Sequence, residues 1–145
     1  MNKSLIAALV FAVSAPAVYA ASVFSDAKDS VEYRQAALQL IRHNMADIGD
    51  MVKGEVTYDA ERVIKRATAL ATLTTLPWDA FTIKGGDAKD DIWQNMADFQ
   101  SRGKKLASDA AILHSAALSD NQADVRKAFG TFARNCKACH DKYKK

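Results

Sequence analysis

The residues with the clearest chemical potential stand near the end of the 145-residue chain, where Cys136-Lys137-Ala138-Cys139-His140 sets two thiols three positions apart and an imidazole directly after the second. C-x-x-C-H is the pattern of covalent c-type haem attachment: each thiol adds across one vinyl group of the porphyrin, and the adjoining imidazole reaches the iron. On a helix, positions 136, 139 and 140 fall within about one turn, so both sulfurs and the ring project to one side. Two other chemistries share the thiol spacing. A thiol–disulfide redox pair sits at a helix start following a strand, and a structural zinc site needs further ligands. Neither context is present: no second cysteine pair exists, and only His43 and His114 remain to complete a zinc set. An exported disulfide scaffold would spread more cysteines along the chain.

The start of the chain bears on where such chemistry takes place. Met1-Asn2-Lys3, an apolar run from Leu5 to Val13, and small residues at Val18 and Ala20 have the form of a secretory signal peptide removed after Ala20. The apolar run is about half the roughly 20 residues a transmembrane helix needs. Export to the periplasm, with no membrane insertion after signal removal, is therefore expected. Residues 21–145 are of single-domain length, enough for one core. Twenty basic and 17 acidic residues give a net charge of +3, and the two signs are interspersed, which excludes the clustered basic face of a nucleic-acid reader. Lys142, Lys144 and Lys145 at the end are expected to form a frayed, solvated tail rather than a docking patch for an acidic redox partner.

Four stretches carry apolar residues at alternating spacings of three and four, the signature of helices that each bury one stripe. The first gives Val31, Arg34, Leu38, Ile41, Met45, Ile48 and Val52, with Ser25 or Asp26 as cap and Gly49 or Gly54 near its end. The second follows Thr57-Tyr58-Asp59, carries Val63, Ala67, Leu70 and Leu73, and is closed by Pro77. The third begins after Gly85-Gly86-Asp87, with Asp87 as its cap, and continues through Ile92, Met96, Phe99, Gly103, Leu106, Ala110, Leu113 and Ala117. The fourth starts between Ser119 and Asn121, where Ser119 with Gln122 offers a capping box, and carries Val125, Phe129, Phe132, Cys136, Cys139 and Tyr143. Short links between such helices predict an all-α, antiparallel up-down-up-down four-helix bundle. Because the third helix outlasts the second, part of its stripe lacks a protein partner, which leaves room for a haem.

Arg34 is the one charged member of an apolar stripe, and an unpaired buried guanidinium costs several kcal/mol. A haem propionate offers a bidentate partner, with Gln35 adding a hydrogen bond. The alternative is a guanidinium that reaches solvent along its methylene stem.

Taken together, Tyr33-Arg34-Gln35-Ala36-Ala37-Leu38, Leu76-Pro77-Trp78, Gly85-Gly86-Asp87, Ile92-Trp93, and Cys136 to Asp141 with Tyr143 resemble the cytochrome c′ family nearly end to end. The carboxy-terminal place of C-x-x-C-H is itself distinguishing. The resemblance implies one haem c, bonded to Cys136 and Cys139, with His140 as proximal iron ligand and Arg34, Gln35, Asp87 and Tyr143 in the haem-binding set. It further implies that Leu38 covers the opposite iron face, so that the iron is five-coordinate and takes nitric oxide or carbon monoxide by displacing packing. A homodimer through the first two helices and a binding role, not an enzymatic one, belong to the same expectation. Lys144 departs from the arginine common in the family near the proximal histidine, replacing a planar fork with a point charge. The alternative is a low-spin, six-coordinate electron carrier of the same bundle. Met45 is the only methionine on the required stripe, yet it lies about 10.5 Å along the axis from Leu38, so it is expected to pack, as are Met51 and Met96.

The remaining residues have structural roles in prospect. His43 and His114 are expected at the surface, and Trp78 and Trp93 are expected to anchor the long connection. Glycine inside a helix costs about 0.5–1 kcal/mol relative to alanine, so Gly103 predicts a close approach by haem or by another helix.

Overall fold

The computed structural model describes residues 23–119 and 121–145; the expected signal peptide lies outside them. Four long helices, α1 (Ala27–Lys53), α2 (Ala60–Leu73), α4 (Met96–Leu118) and α5 (Gln122–Tyr143), form the antiparallel up-down-up-down bundle. The long connection between α2 and α4 carries a 3-10 turn at Asp79–Thr82 and a single helical turn, α3 (Asp91–Gln94). No described helix is long and apolar enough to cross a membrane.

The caps follow from side-chain chemistry. Asp26 accepts from Asp29 N at the start of α1, and Gly54, at φ 81°, ends it in the left-handed conformation that glycine adopts without steric penalty. Asp59 caps α2 through Arg62 N. Gly49 is an interior position of α1, against the ring of Phe129 on α5. One expected start is displaced. The third helix does not run on from Asp87: α3 is one turn, Asn95 breaks it at φ −128° and ψ 41°, and α4 begins at Met96. The fourth helix is capped by Asn121, whose side chain accepts from Ala123 N and Asp124 N, while Ser119 closes α4 by donating to Ala116 O.

Ile48, Met51, Val63, Ala67, Leu70, Ala110, Leu113, Val125 and Phe132 fill the bundle core. Burial at about 1.5–3 kcal/mol per large side chain outweighs any propensity difference among the helices. Asp47 pins α2 to α1, accepting from Arg62 and from Arg66 Nε at 2.6 Å. A second cluster of Phe81, Ile92, Phe99 and Tyr143 sits under the long connection, and Leu38 and Trp78 pack against both clusters. α4 packs closely along α2 and α5, whereas α1 and α5 approach each other far less, leaving one open seam.

The expected frayed tail is instead tied down. Ala88 and Lys144 form an antiparallel bridge, Lys145 N donates to Asp87 O at 3.0 Å, and Lys89 N donates to Tyr143 O at 3.1 Å. Unpaired backbone groups at the helix end find partners in the connection, which offsets the entropy of ordering the last residues.

The close approach at Gly103 is made by neither haem nor helix. A Cβ there would lie 2.7–3.0 Å from the indole of Trp78, and Trp78 is held by its Nε1 donating to Thr74 O at 2.7 Å. Gly103→Leu gains about 1 kcal/mol of helix propensity, but overpacking against a pinned ring costs about 1–3 kcal/mol. We expect a lower denaturant midpoint together with a shifted haem absorbance, since Trp78 is also a cavity wall; an unchanged midpoint would contradict the contact.

Candidate haem site

The open seam between α1 and α5 is a cavity of about 670 Å³. Leu38, Ile41 and Met45 face it from α1, Asn135, Cys136, Cys139 and His140 from α5, and Trp78, Phe81, Ile92, Phe99 and Leu106 form its apolar floor. Arg34, Gln35, Asp87, Arg102, Tyr143 and Lys144 also line it, so every residue expected at the site from sequence reaches the same space.

Both cysteines are free and half-buried. Burial, followed by Cys139 and more weakly Asp109, pushes the Cys136 thiol up to about 11, and burial also raises Cys139. Cys136 Sγ lies 3.9 Å from Met45 Sδ, which places that methionine at the wall carrying the first thiol. His140 sits at the exposed rim, with enough of its ring against the wall for desolvation, and then Lys144, to lower its pKa. A neutral imidazole, the form that ligates metals, is the result.

Arg34 is only 3% exposed, which excludes a guanidinium extended to solvent. Its protein partners are backbone carbonyls: Nη1 donates to Ala80 O at 2.9 Å and Ile83 O at 2.8 Å, Nη2 donates to Gly85 O, and the cation lies 4.5 Å from the Phe81 ring centroid. Planarity lets one guanidinium gather three carbonyls of the connection, an arrangement an ammonium does not reproduce. Gln35 and Asp87 stand at the more exposed rim. Tyr143 is 3% exposed, edge-on to Phe99, and its hydroxyl donates to Asp98 Oδ2 at 2.5 Å.

Asp98 is a node that sequence patterning does not single out. Arg102 Nε at 2.8 Å and Lys142 Nζ at 3.0 Å donate to the same Oδ2. These donors, Arg102 foremost, then Tyr143 and Lys142, hold the carboxyl far below the ordinary range. Arg102, Asn135 and Leu106 are cavity residues without a motif; the only sequence signal at Arg102 is its i, i+4 spacing from Asp98. His43 is exposed and His114 half-buried on α4, and neither lines the cavity.

A family model described as cytochrome c′ matches residues 29–144. The chain belongs to the cytochrome c′ family. It is 37% identical over 124 residues to cytochrome c′ of Alcaligenes xylosoxydans xylosoxydans, covering 84% of this chain and 98% of that one. It is also 33% identical over 147 residues to cytochrome c-556 of Agrobacterium fabrum, covering 98% and 94%. The solved cytochrome c prime from Shewanella frigidimarina superposes with a TM-score of 0.81 at 40% identity, covering 84% of this chain and 98% of that chain. As in the rest of the family, the cofactor is haem c. The residues present fit it: an apolar slot with a polar rim, two thiols one helical turn apart to form thioethers, and a neutral imidazole beside them.

Because the folded-state pKa of Asp98 is depressed, its stabilising effect is full above the ordinary carboxylate value of 3.8 and is lost as the pH falls below it. Asp98→Asn should melt at a lower temperature than the parent at pH 7, with the difference shrinking between pH 4 and about pH 2. Thermal scans followed by circular dichroism test this, and a pH-independent difference would assign the effect to packing instead.

Proposed function

We propose that this chain is a periplasmic haem protein that binds nitric oxide or carbon monoxide at a five-coordinate iron, with His140 as proximal ligand, Leu38 over the opposite face, and a further capacity for electron transfer. Export by residues 1–20 and a binding rather than catalytic role are part of this proposal. The observation that carries it is the chemistry of the α1 wall. Leu38 faces the cavity across from the α5 turn that bears His140, packs against both apolar clusters, and has no atom that can donate to iron. Met45 also lines the cavity, but its sulfur rests on Cys136 at the attachment wall. One solved structure similar to this chain, at 36% identity and TM-score 0.81, is a nitrosyl complex of a variant cytochrome c prime from Alcaligenes xylosoxidans.

When bound, haem supplies an iron that accepts a diatomic gas and carries one electron. The chain's own part is to hold that group by Cys136 and Cys139, to present a neutral imidazole, and to close the far side with a side chain that yields. Arg34 keeps the connection folded over the haem edge through its three carbonyls, with Gln35 and Asp87 at the same rim. Acid–base cleavage of an oxygen–oxygen bond would require a histidine or arginine beside Leu38; of the arginines lining the cavity, Arg34 donates to carbonyls, Arg102 to Asp98 and Arg42 to Gln39. We further propose a homodimer through α1 and α2, where Tyr33 and Leu40 on α1 and Val56 in the link to α2 are exposed.

Absorption spectra of both oxidation states, with and without gas, test the reading. A high-spin ferrous spectrum that changes on adding carbon monoxide is expected; sharp, split low-spin bands before any gas would favour the six-coordinate carrier. Displacing a packed leucine costs about 1.5–3 kcal/mol, so Leu38→Ala should accelerate carbon monoxide association about 10- to 100-fold. An unaltered association rate in stopped flow would remove Leu38 from the distal face.

A further inference from the structure

Asp109, on α4, is a carboxylate only 5% exposed, and its partners do not neutralise it well. Lys105 Nζ donates to Oδ1 at 3.1 Å and to Oδ2 at 3.2 Å, but the Lys105 side chain is 62% exposed, so water and salt screen that ammonium more than they screen the buried anion. The other partner is neutral: Asn135 Nδ2 donates to Oδ2 at 3.2 Å. Asn135 lines the haem cavity and directly precedes Cys136. A charge left on the buried face of a bundle is no aid to stability compared with a well-packed apolar residue, even one that joins α4 to α5 through Asn135.

We propose that Asp109 sets the reduction potential of the haem: its negative charge, one hydrogen bond behind the cavity wall at Asn135, favours the ferric over the ferrous state. The inference rests on haem attachment at Cys136 and not on the assignment of gas binding. The same field already reaches the first sulfur, where Asp109 helps burial and Cys139 to raise the free thiol. The couple is the one-electron reduction of ferric to ferrous haem, with the electron supplied by a soluble mediator. Asn135 acts as the positioning residue, fixing the carboxylate against the wall, and burial preserves the interaction that water would otherwise screen.

Spectroelectrochemical titration of the holoprotein tests this directly. At a fixed ambient potential, Asp109→Asn should move the ferrous-to-ferric ratio about tenfold toward ferrous, which is about 59 mV for a one-electron couple. Asp109→Glu, which restores the charge, should stay within about twofold of the parent. Lys105→Met removes the compensating cation from an exposed position and should shift the ratio about two- to threefold toward ferric. A purely structural role would not move the two neutralising variants in opposite directions. A folded Asp109→Asn holoprotein with the parent's ratio overturns the proposal, as does a Lys105→Met shift toward ferrous. Should Asp109→Asn fail to fold, an unshifted Lys105→Met overturns it alone. The gas-free ferrous spectrum is recorded on the same samples, so a six-coordinate spectrum would refute gas binding and leave this inference standing.

Discussion

Two sulfurs and an imidazole leave α5 within one turn, and across from them α1 offers Leu38, Ile41 and Met45, of which Met45 reaches Cys136 while the rest of the seam stays unfilled. Three seams of the bundle close by side-chain packing, while the seam between α1 and α5 stays open at about 670 Å³. A gap of that size would be costly if left to water, because apolar walls lose both contacts and hydrophobic burial. The thioethers of haem c solve this by making the filling part of the chain, so loss of the group to solvent is no longer an equilibrium. The position of every other cavity residue follows from that one unfilled seam.

A frame around the seam keeps it from collapsing. Trp78 lies flat over Gly103, where no Cβ intervenes, and is fixed by its bond to Thr74. Arg34 draws Ala80, Ile83 and Gly85 onto α1, and Ser30 adds its hydroxyl to Ala80 O at 2.5 Å. At the other end, Tyr143, Lys142 and Arg102 converge on Asp98, and the bridge between Ala88 and Lys144 joins the tail to the connection. Among the described residues, no buried side-chain nitrogen or oxygen lacks a partner. A satisfied polar frame is stiff, because breaking any one bond leaves a desolvated group behind.

Legibility in the sequence differed by kind of feature. Stripe positions such as Ile48, Leu70, Leu113 and Phe132 are buried as their spacing implies, because a helix carries its own periodicity. Helix starts were less legible. Asn95 interrupts the third pattern, and of the two candidates Ser119 and Asn121 it is Asn121 that caps the fourth helix, since several polar residues competed for each cap and only the arriving chain selects among them. Arg34 illustrates a partial inference: its need for partners was evident from its place on an apolar stripe, whereas the identity of those partners, backbone carbonyls some fifty positions away, was not. Asp109 and Asn135 meet across two helices and have no local pattern that marks them.

By itself, then, the sequence determined the chemistry: the haem attachment written into Cys136 to His140, the four amphipathic helices, and the face of α5 on which both thiols stand. These are local properties, set within one turn or one stripe by covalent order and helical pitch. Tertiary structure alone decided which seam stays open, that an indole rather than a porphyrin occupies the space at Gly103, and that the lysine-rich tail is bridged rather than frayed. It also decided which carboxylate lies buried behind the cavity wall. Such outcomes depend on groups far apart in the chain competing for the same space and the same hydrogen bonds, and that competition is resolved only when the helices meet.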